Sequence, residues 1–208
     1  MALLLVAGMT LSLTACGGST DTAKTDQADG KDTFTVGFDQ DFPPFGYVGD
    51  DGEFTGFDIE MATECAARMG KKIVLQPIDW DAKDMELEAG TIDCIWNGFT
   101  MNGREDQYTW TDPYMDNSQV VVVKKDSGIN TLADLAGKVV EVQKESAAET
   151  ALNDEEHADL MASFAQLLSV GEYNTAFMDL ESGAVDAVAI DIGVAQFQIE
   201  GKEISIRF

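Results

Sequence analysis

The chain has 208 residues, of which 38 are Asp or Glu and 13 are Lys or Arg, giving a formal net charge of −25 at pH 7. Cations so few and scattered exclude nucleic acid as a partner, because backbone binding needs clustered Lys and Arg to release counterions, and they disfavour anionic membrane surfaces. With 45% hydrophobic and 25% charged residues, the composition is that of a soluble globular protein with a sizeable core and not of a disordered one.

The first segment is not expected to join the fold. Residues 3–15 (LLLVAGMTLSLTA) are uncharged and largely apolar, too short for a membrane-spanning helix of about 20 residues and suited to the h-region of a secretory signal. The stretch Leu13-Thr14-Ala15-Cys16-Gly17-Gly18 resembles a bacterial lipobox, which implies cleavage before Cys16 and a lipid on that cysteine. No Lys/Arg n-region precedes it. The alternative is a buried N-terminal helix, but residues 17–33 (GGSTDTAKTDQADGKDT) lack the apolar periodicity to dock one and read as a linker. The expected division is a signal peptide at 1–15, then lipidated Cys16 and a flexible linker at 16–33. The exported chain keeps the full charge, since residues 1–15 contain no Asp, Glu, Lys or Arg.

From Phe34 onward, short apolar runs alternate with helical segments, an order that predicts an α/β fold with largely parallel strands. Strands are expected at 34–38 (FTVGF), 72–76 (KIVLQ), 92–96 (IDCIW), 119–123 (QVVVV), 139–142 and 185–190 (VDAVAI). Helices are expected at 57–69, ending at Gly70, at 83–89, ending at Gly90, at 131–136, entered from Asn130, at 146–152 and at 173–180. The turn at Asp112-Pro113-Tyr114 leads into an extended stretch and not another helix, which divides the chain into a first lobe at 34–115 and a second at 116–208. With Cys16 taken by lipid, Cys65 and Cys94 are an even pair in a disulfide-permissive compartment; a bond and two buried free thiols are both compatible with their predicted places on a helix and a strand. A metal site is not expected, because the only histidine, His157 in NDEEHAD, reads as part of a solvated helical face. No cofactor is implied.

A series of short motifs resembles the bacterial extracellular solute-binding proteins of family 3, the amino-acid receptors of ABC importers. The motifs are Phe42-Pro43-Pro44-Phe45, Gly56-Phe57-Asp58-Ile59-Glu60-Met61-Ala62, Gly90-Thr91-Ile92-Asp93, Arg104 followed by Tyr108-Thr109-Trp110-Thr111-Asp112-Pro113-Tyr114, Leu132-Ala133-Asp134-Leu135-Ala136-Gly137-Lys138, and Gly183-Ala184-Val185-Asp186-Ala187. Each is weak alone; in this order they are specific. The resemblance implies a two-lobed, periplasmic-binding-protein-like fold of type II, a ligand held between the lobes, membrane permease subunits as partners, and a monomer tethered by its lipid to the outer face of the cytoplasmic membrane. Family members return to the first lobe after the second, so a chain stopping at Phe208 is expected to lack the C-terminal part of that lobe.

The resemblance also implies a binding site for an α-amino acid. Such a zwitterion needs a cation for its carboxylate and an anion for its ammonium in a nearly dry cleft. Arg104 matches the family arginine that grips the carboxylate, and a planar guanidinium can make two parallel bonds to it. The loop between Thr100 and Arg104 is one residue shorter than the usual pattern, and a surface arginine paired with Glu105 or Asp106 is the alternative. Asp191, after the strand VDAVAI, matches the ammonium acceptor, with helix capping as the alternative or an added role. Asn97, Gly98 and Thr100 match a loop that meets both charged groups, or else form a plain turn. Ser146 and Ala147 open a helix whose amides face the same carboxylate, although Glu145 stands where the family often has a small residue or glycine. Asp39, Phe42, Trp80 and Gln143 are expected around the ligand side chain; Phe42 and Trp80 could instead be core, and Asp39 favours a cationic or amide tip.

A binding protein is therefore expected and not an enzyme. Two alternatives remain at this level. Cyclohexadienyl dehydratases resemble the same fold, but no histidine, nucleophile elbow or phosphate loop stands near the cleft motifs, so acid-base chemistry would fall to Asp or Glu alone. An extracellular amino-acid sensor domain shares the fold as well.

Overall fold

In the computed structural model, which describes residues 32–207, the β-branched and aromatic runs become strands and the segments between them helices. The expected signal peptide, Cys16 and all but the last two linker residues lie outside the described residues, and Thr33 already belongs to the first strand. In chain order the elements are β1 (Thr33–Phe38), β2 (Asp41–Phe42), β3 (Gly46–Val48), β4 (Phe54–Thr55), α1 (Phe57–Arg68), β5 (Lys72–Pro77), a 3₁₀ turn (Trp80–Ala82) running into α2 (Lys83–Ala89), and β6 (Cys94–Ile95). After an irregular passage come β7 (Gln119–Lys124), a 3₁₀ turn (Leu132–Leu135), β8 (Val139–Gln143), α3 (Ala147–Asn153), a 3₁₀ turn (Glu155–His157), α4 (Ala158–Ser163), β9 (Gln166–Val170), α5 (Tyr173–Ser182), β10 (Ala187–Asp191), α6 (Ile192–Gln198) and β11 (Ile204–Arg207).

Two principal sheets result. The first has the order β5-β1-β6 and is parallel throughout. The second has the order β11-β7-β10-β8-β9; β10, β8 and β9 run parallel, whereas β7 is antiparallel to both β10 and β11. The expectation of parallel strands thus holds for the first sheet and three strands of the second. A small antiparallel sheet, β2-β3-β4, sits in the first lobe's sequence. The predicted helix at 131–136 is a 3₁₀ turn, held by a capping box between Thr131 and Asp134.

Strand alternation explains the core. In β7, Val120 and Val122 face one side of the sheet with Tyr173, Ala176, Phe177 and Leu180 of α5, while Val121 and Val123 face the other with Val140, Val142 and Leu152. In β10, Val188 and Ile190 join the first group, and Ala187 and Ala189 the second. A sheet covered on both faces needs apolar residues at every position, which is why QVVVV and VAI read as unbroken runs. The spacing of the four α5 residues is that of one helical face. In the first lobe, Ile59, Ala62 and Ala66 of α1 and Val36 and Phe38 of β1 are buried. Phe42 and Phe45 cross from that lobe into the core of the second sheet, where the Phe42 ring lies 6.0 Å from Tyr173.

The disulfide left open by the sequence is not formed. Cys65 and Cys94 are free, half-buried thiols. The Cys65 thiol contacts Met69 Sδ at 3.8 Å, and burial pushes the Cys94 thiol up to about 12.

Candidate functional site

The parallel strands deliver their C-terminal ends to one place. β1 ends before Asp39, β6 before Asn97 to Thr100, β8 at Gln143 with Ser146 and Ala147 beyond it, and β10 at Asp191. Such ends are where open α/β sheets bind ligands. Every expected ligand-binding residue except Asp39 lines a single pocket: Phe42, Trp80, Asn97, Gly98, Thr100, Arg104, Gln143, Ser146, Ala147 and Asp191, together with Phe99. Asp39 stands directly behind it, accepting a 2.6 Å hydrogen bond from Gln143 Nε2.

Arg104 forms the positive wall. It is 7% exposed, and its donors go to Thr100 O (3.3 Å), Glu145 O (3.1 Å) and Thr150 Oγ1 (3.0 Å), not to Glu105 or Asp106. The guanidinium lies 5.3 Å from the Phe99 ring, which packs among Trp80, Tyr108 and Trp110 with centroids 5.0–5.1 Å apart. Trp110 Nε1 in turn donates to Arg104 O at 3.1 Å. This aromatic bed holds Arg104 in place, so the shorter loop still brings it to the pocket.

Asp191 forms the negative wall. Its Oδ1 accepts from Asn117 Nδ2, from Gln119 Nε2 at 2.8 Å and from Thr100 Oγ1 at 3.5 Å. Burial raises its pKa, and the Gln119 and Asn117 amides oppose that rise. Asp191 occupies the N-cap position of α6 without a side-chain capping bond, so its carboxylate serves the pocket and not the helix. Asp39 is 4% exposed, and burial pushes its carboxyl up to about 6 against the Asp41 amide and Gln143. Ser146 caps α3 through Oγ, which accepts from Glu149 N; contrary to the expectation of two amides facing the carboxylate, its own amide is already engaged, bonding Gln143 O at 3.3 Å as the chain turns into the helix.

The loop at 97–100 is braced from beneath. Asn97 Oδ1 accepts from Asp39 N at 2.8 Å. Gly98 has φ +56°, the left-handed conformation that accounts for the glycine, and it sits in ordinary contact distance of the Phe45 ring. Its amide donates to Tyr114 Oη at 3.1 Å, and that hydroxyl donates to Asp58 Oδ1 at 2.9 Å. Burial pushes Asp58, fully inaccessible, up to about 6. Trp80 Nε1 reaches Glu145 O at 3.3 Å, so this ring is both core and pocket wall.

Several contributors escaped sequence reasoning. Phe99 was findable, lying between Gly98 and Thr100. Asn117 and Thr150 carry no local signal, and Gln119 and Tyr114, although they stand in a predicted strand and in a motif, carry none for these contacts, because only the fold brings all four beside residues distant in sequence. Chemically, two buried and opposite charges on one pocket suit a small zwitterion.

The family model for bacterial extracellular solute-binding proteins, family 3, matches residues 34–177. The L-cystine-binding protein TcyJ of Escherichia coli (strain K12) is 31% identical over 194 residues, covering 92% of this chain and 69% of its own length. The arginine-binding extracellular protein ArtP of Bacillus subtilis (strain 168) is 36% identical over 142 residues, 68% of this chain and 54% of that protein. Among solved structures, an ABC uptake transporter substrate-binding protein from Streptococcus pneumoniae with bound histidine superposes with a TM-score of 0.80 at 34% identity, covering 85% of this chain and 74% of that one. An ancestral arginine-binding protein bound to arginine gives 0.77 at 35% identity, covering 85% and 79%. With two α/β sheets, a pocket at the carboxyl ends of their strands and a family match over most of its length, the chain belongs to the bacterial extracellular solute-binding proteins of family 3.

Proposed function

We propose that this chain is the extracytoplasmic substrate-binding lipoprotein of an ABC importer, which captures an α-amino acid between lobes at 34–115 and 116–208 and delivers it to a membrane permease. The observation that carries the reading is the convergence of buried Arg104 and buried Asp191 on one pocket from parts of the chain that belong to different sheets. Arg104 takes the ligand carboxylate and Asp191 its ammonium, with Asn97, Gly98 and Thr100 beside both and Ser146 and Ala147 facing the carboxylate. Asp39, Gln143, Phe42 and Trp80 surround the side chain, and the buried carboxylate with its amide partner selects a polar or basic tip. Relatives named for cystine and arginine, and a similar structure with histidine bound, support an amino acid as the ligand class. The protein acts as a monomer, held outside the membrane by lipid on Cys16.

Calorimetric titration with the twenty L-amino acids tests this. Binding by one or a few polar or basic amino acids, lost in Arg104→Ala, is expected. Undiminished affinity in that variant would overturn the site, silence toward every amino acid would favour another solute or a sensor role, and conversion of prephenate or arogenate would place the protein among enzymes.

A further inference from the structure

The chain enters α3 through Lys144 and Glu145. Among the described residues other than glycine, Glu145 alone has a positive φ, 58°. A residue with a Cβ is disfavoured there, so its surroundings must hold it. Its amide donates to Glu149 Oε2 at 2.7 Å. Its carbonyl accepts from Trp80 Nε1 at 3.3 Å and from Arg104 Nη2 at 3.1 Å. Its carboxylate lies 3.8 Å from Lys83 Nζ. Trp80, Lys83 and Arg104 all come from the first-lobe sequence, so three side chains of one lobe converge on a single residue of the other.

Lys83 is the unusual member. Its side chain is 3% exposed and its ammonium lies 5.2 Å from the Trp80 ring centroid. Burial lowers its pKa, while Asp84, Glu145 and Asp81 favour the charge. Asp81 and Asp84 sit on the same segment as Lys83; Glu145 reaches it from across the cleft. A second, half-exposed ion pair runs parallel, Lys144 Nζ to Asp81 Oδ2 at 3.9 Å. Neither Lys83 nor Glu145 lines the pocket, in contrast to Gln143, whose bond to Asp39 a ligand side chain can replace. The Lys83 and Glu145 contacts therefore coexist with an occupied pocket.

We propose that Lys83 and Glu145 form a latch across the cleft, a pair of positioning residues that keeps Arg104 and Trp80 in the pocket wall and sets how long a captured ligand stays. The proposal rests on the reading that the pocket takes an α-amino acid. Opening must break the pair and both hydrogen bonds to the Glu145 carbonyl, so losing the pair speeds escape, and speeds entry only as far as the ligand-free cleft is itself latched.

The test uses Lys83→Met, which keeps the aliphatic stem over Trp80 and removes the charge, Glu145→Gln, and Lys83→Arg as the conservative variant. Small-angle X-ray scattering reports the radius of gyration of the ligand-free proteins. Stopped-flow displacement reports koff for L-arginine, L-histidine, L-cystine and L-glutamine. Lys83→Met and Glu145→Gln are each expected to enlarge the ligand-free protein and to raise koff about tenfold, with kon rising only as far as the ligand-free cleft opens, whereas Lys83→Arg should keep the radius and koff near their wild-type values. The double variant should lose no more than either single one. An unchanged radius and koff in both charge-removing variants would overturn the latch, as would losses that follow melting temperature alone without rescue by arginine. Should Lys83→Met fail to fold, Glu145→Gln and the wild type in molar salt give the same readouts. If none of the twenty L-amino acids binds the wild type, the pocket reading fails, and the scattering comparison still decides the latch.

Discussion

Replacing Asp191 by Asn separates binding from stability more sharply than any other single change. Three side-chain donors, from Asn117, Gln119 and Thr100, converge on Oδ1, and an asparagine amide oxygen can take that atom's place. The fold therefore keeps its contacts and sheds a buried charge. Because burial raises this carboxyl's folded pKa above its unfolded value, the native state holds the proton through a window in which the unfolded chain has lost it. Stability falls as pH rises through that window and is lowest above it, so the Asn variant should melt higher at neutral pH and lose its advantage in acid. Binding should move the other way. An ammonium left in the pocket without its carboxylate costs about 2–5 kcal/mol, or roughly 30-fold to several thousand-fold in affinity. Wild-type affinity should also weaken as the pH drops and Asp191 takes a proton, whereas the variant should lack that contribution. Titration calorimetry with the best amino-acid ligand, at several pH values, and thermal melts in the same buffers read both effects. A variant that binds as tightly as the wild type, or that loses stability and affinity together at neutral pH, would refute the reasoning.

Asp39→Asn removes a carboxyl that burial holds near 6 against a reference of 3.8, but Asp41 N and Gln143 Nε2 donate to different carboxyl oxygens and an amide offers only one acceptor, so thermal melts should show a gain smaller than the roughly 3 kcal/mol that shedding the charge alone would give above pH 6. The gain should vanish near pH 4, and calorimetry should show preference moving from L-arginine toward neutral side chains. Gly56→Ala should cost about 3 kcal/mol or more in denaturant melts: φ is +123° and the new Cβ would lie 2.3 Å from Phe45 O, a backbone atom of the segment that packs between the lobes. Cys16→Ala should release the exported protein from membranes into the soluble fraction, checked by fractionation and by the loss of a lipid mass; a wild type already soluble and free of lipid would remove the anchor from the proposal.

Legibility followed the length of each pattern. Residues 119–123 and 185–190 announce themselves because both faces of the second sheet are covered, and α2 because it stops at Gly90 in a left-handed turn, φ 69°. Strands β2, β3 and β4 have two or three residues each, too few for any period, and are defined by pairing partners that sequence does not display. β9 was missed for another reason: its half-buried QLLSV lies at the sheet edge and alternates weakly. At the site, most residues were readable through their motifs' resemblance to the family, and only Asp191 and the 97–100 loop through the strand ends they follow. The supports were not: Thr150 under Arg104, Asn117 and Gln119 around Asp191, and the Asp58–Tyr114 brace beneath Gly98 are joined across 16 to 74 positions by folding alone.

The two halves of the cradle differ in stiffness. Asp191 terminates β10, the middle strand of five, flanked by β7 and β8 and buried along its whole length. The passage from Asn97 to Arg104 instead follows β6, a two-residue edge strand paired with β1 only at Cys94 and Ile95. Amide hydrogens of Val188 to Ile190 should thus be among the slowest to exchange whether or not the cleft is filled, and those of the 97–104 passage should slow when it fills. Such an arrangement gives the molecule one jaw anchored in the interior of a sheet and another whose place rests on side-chain packing and hydrogen bonds, so the filling of the pocket should be felt first on the arginine side.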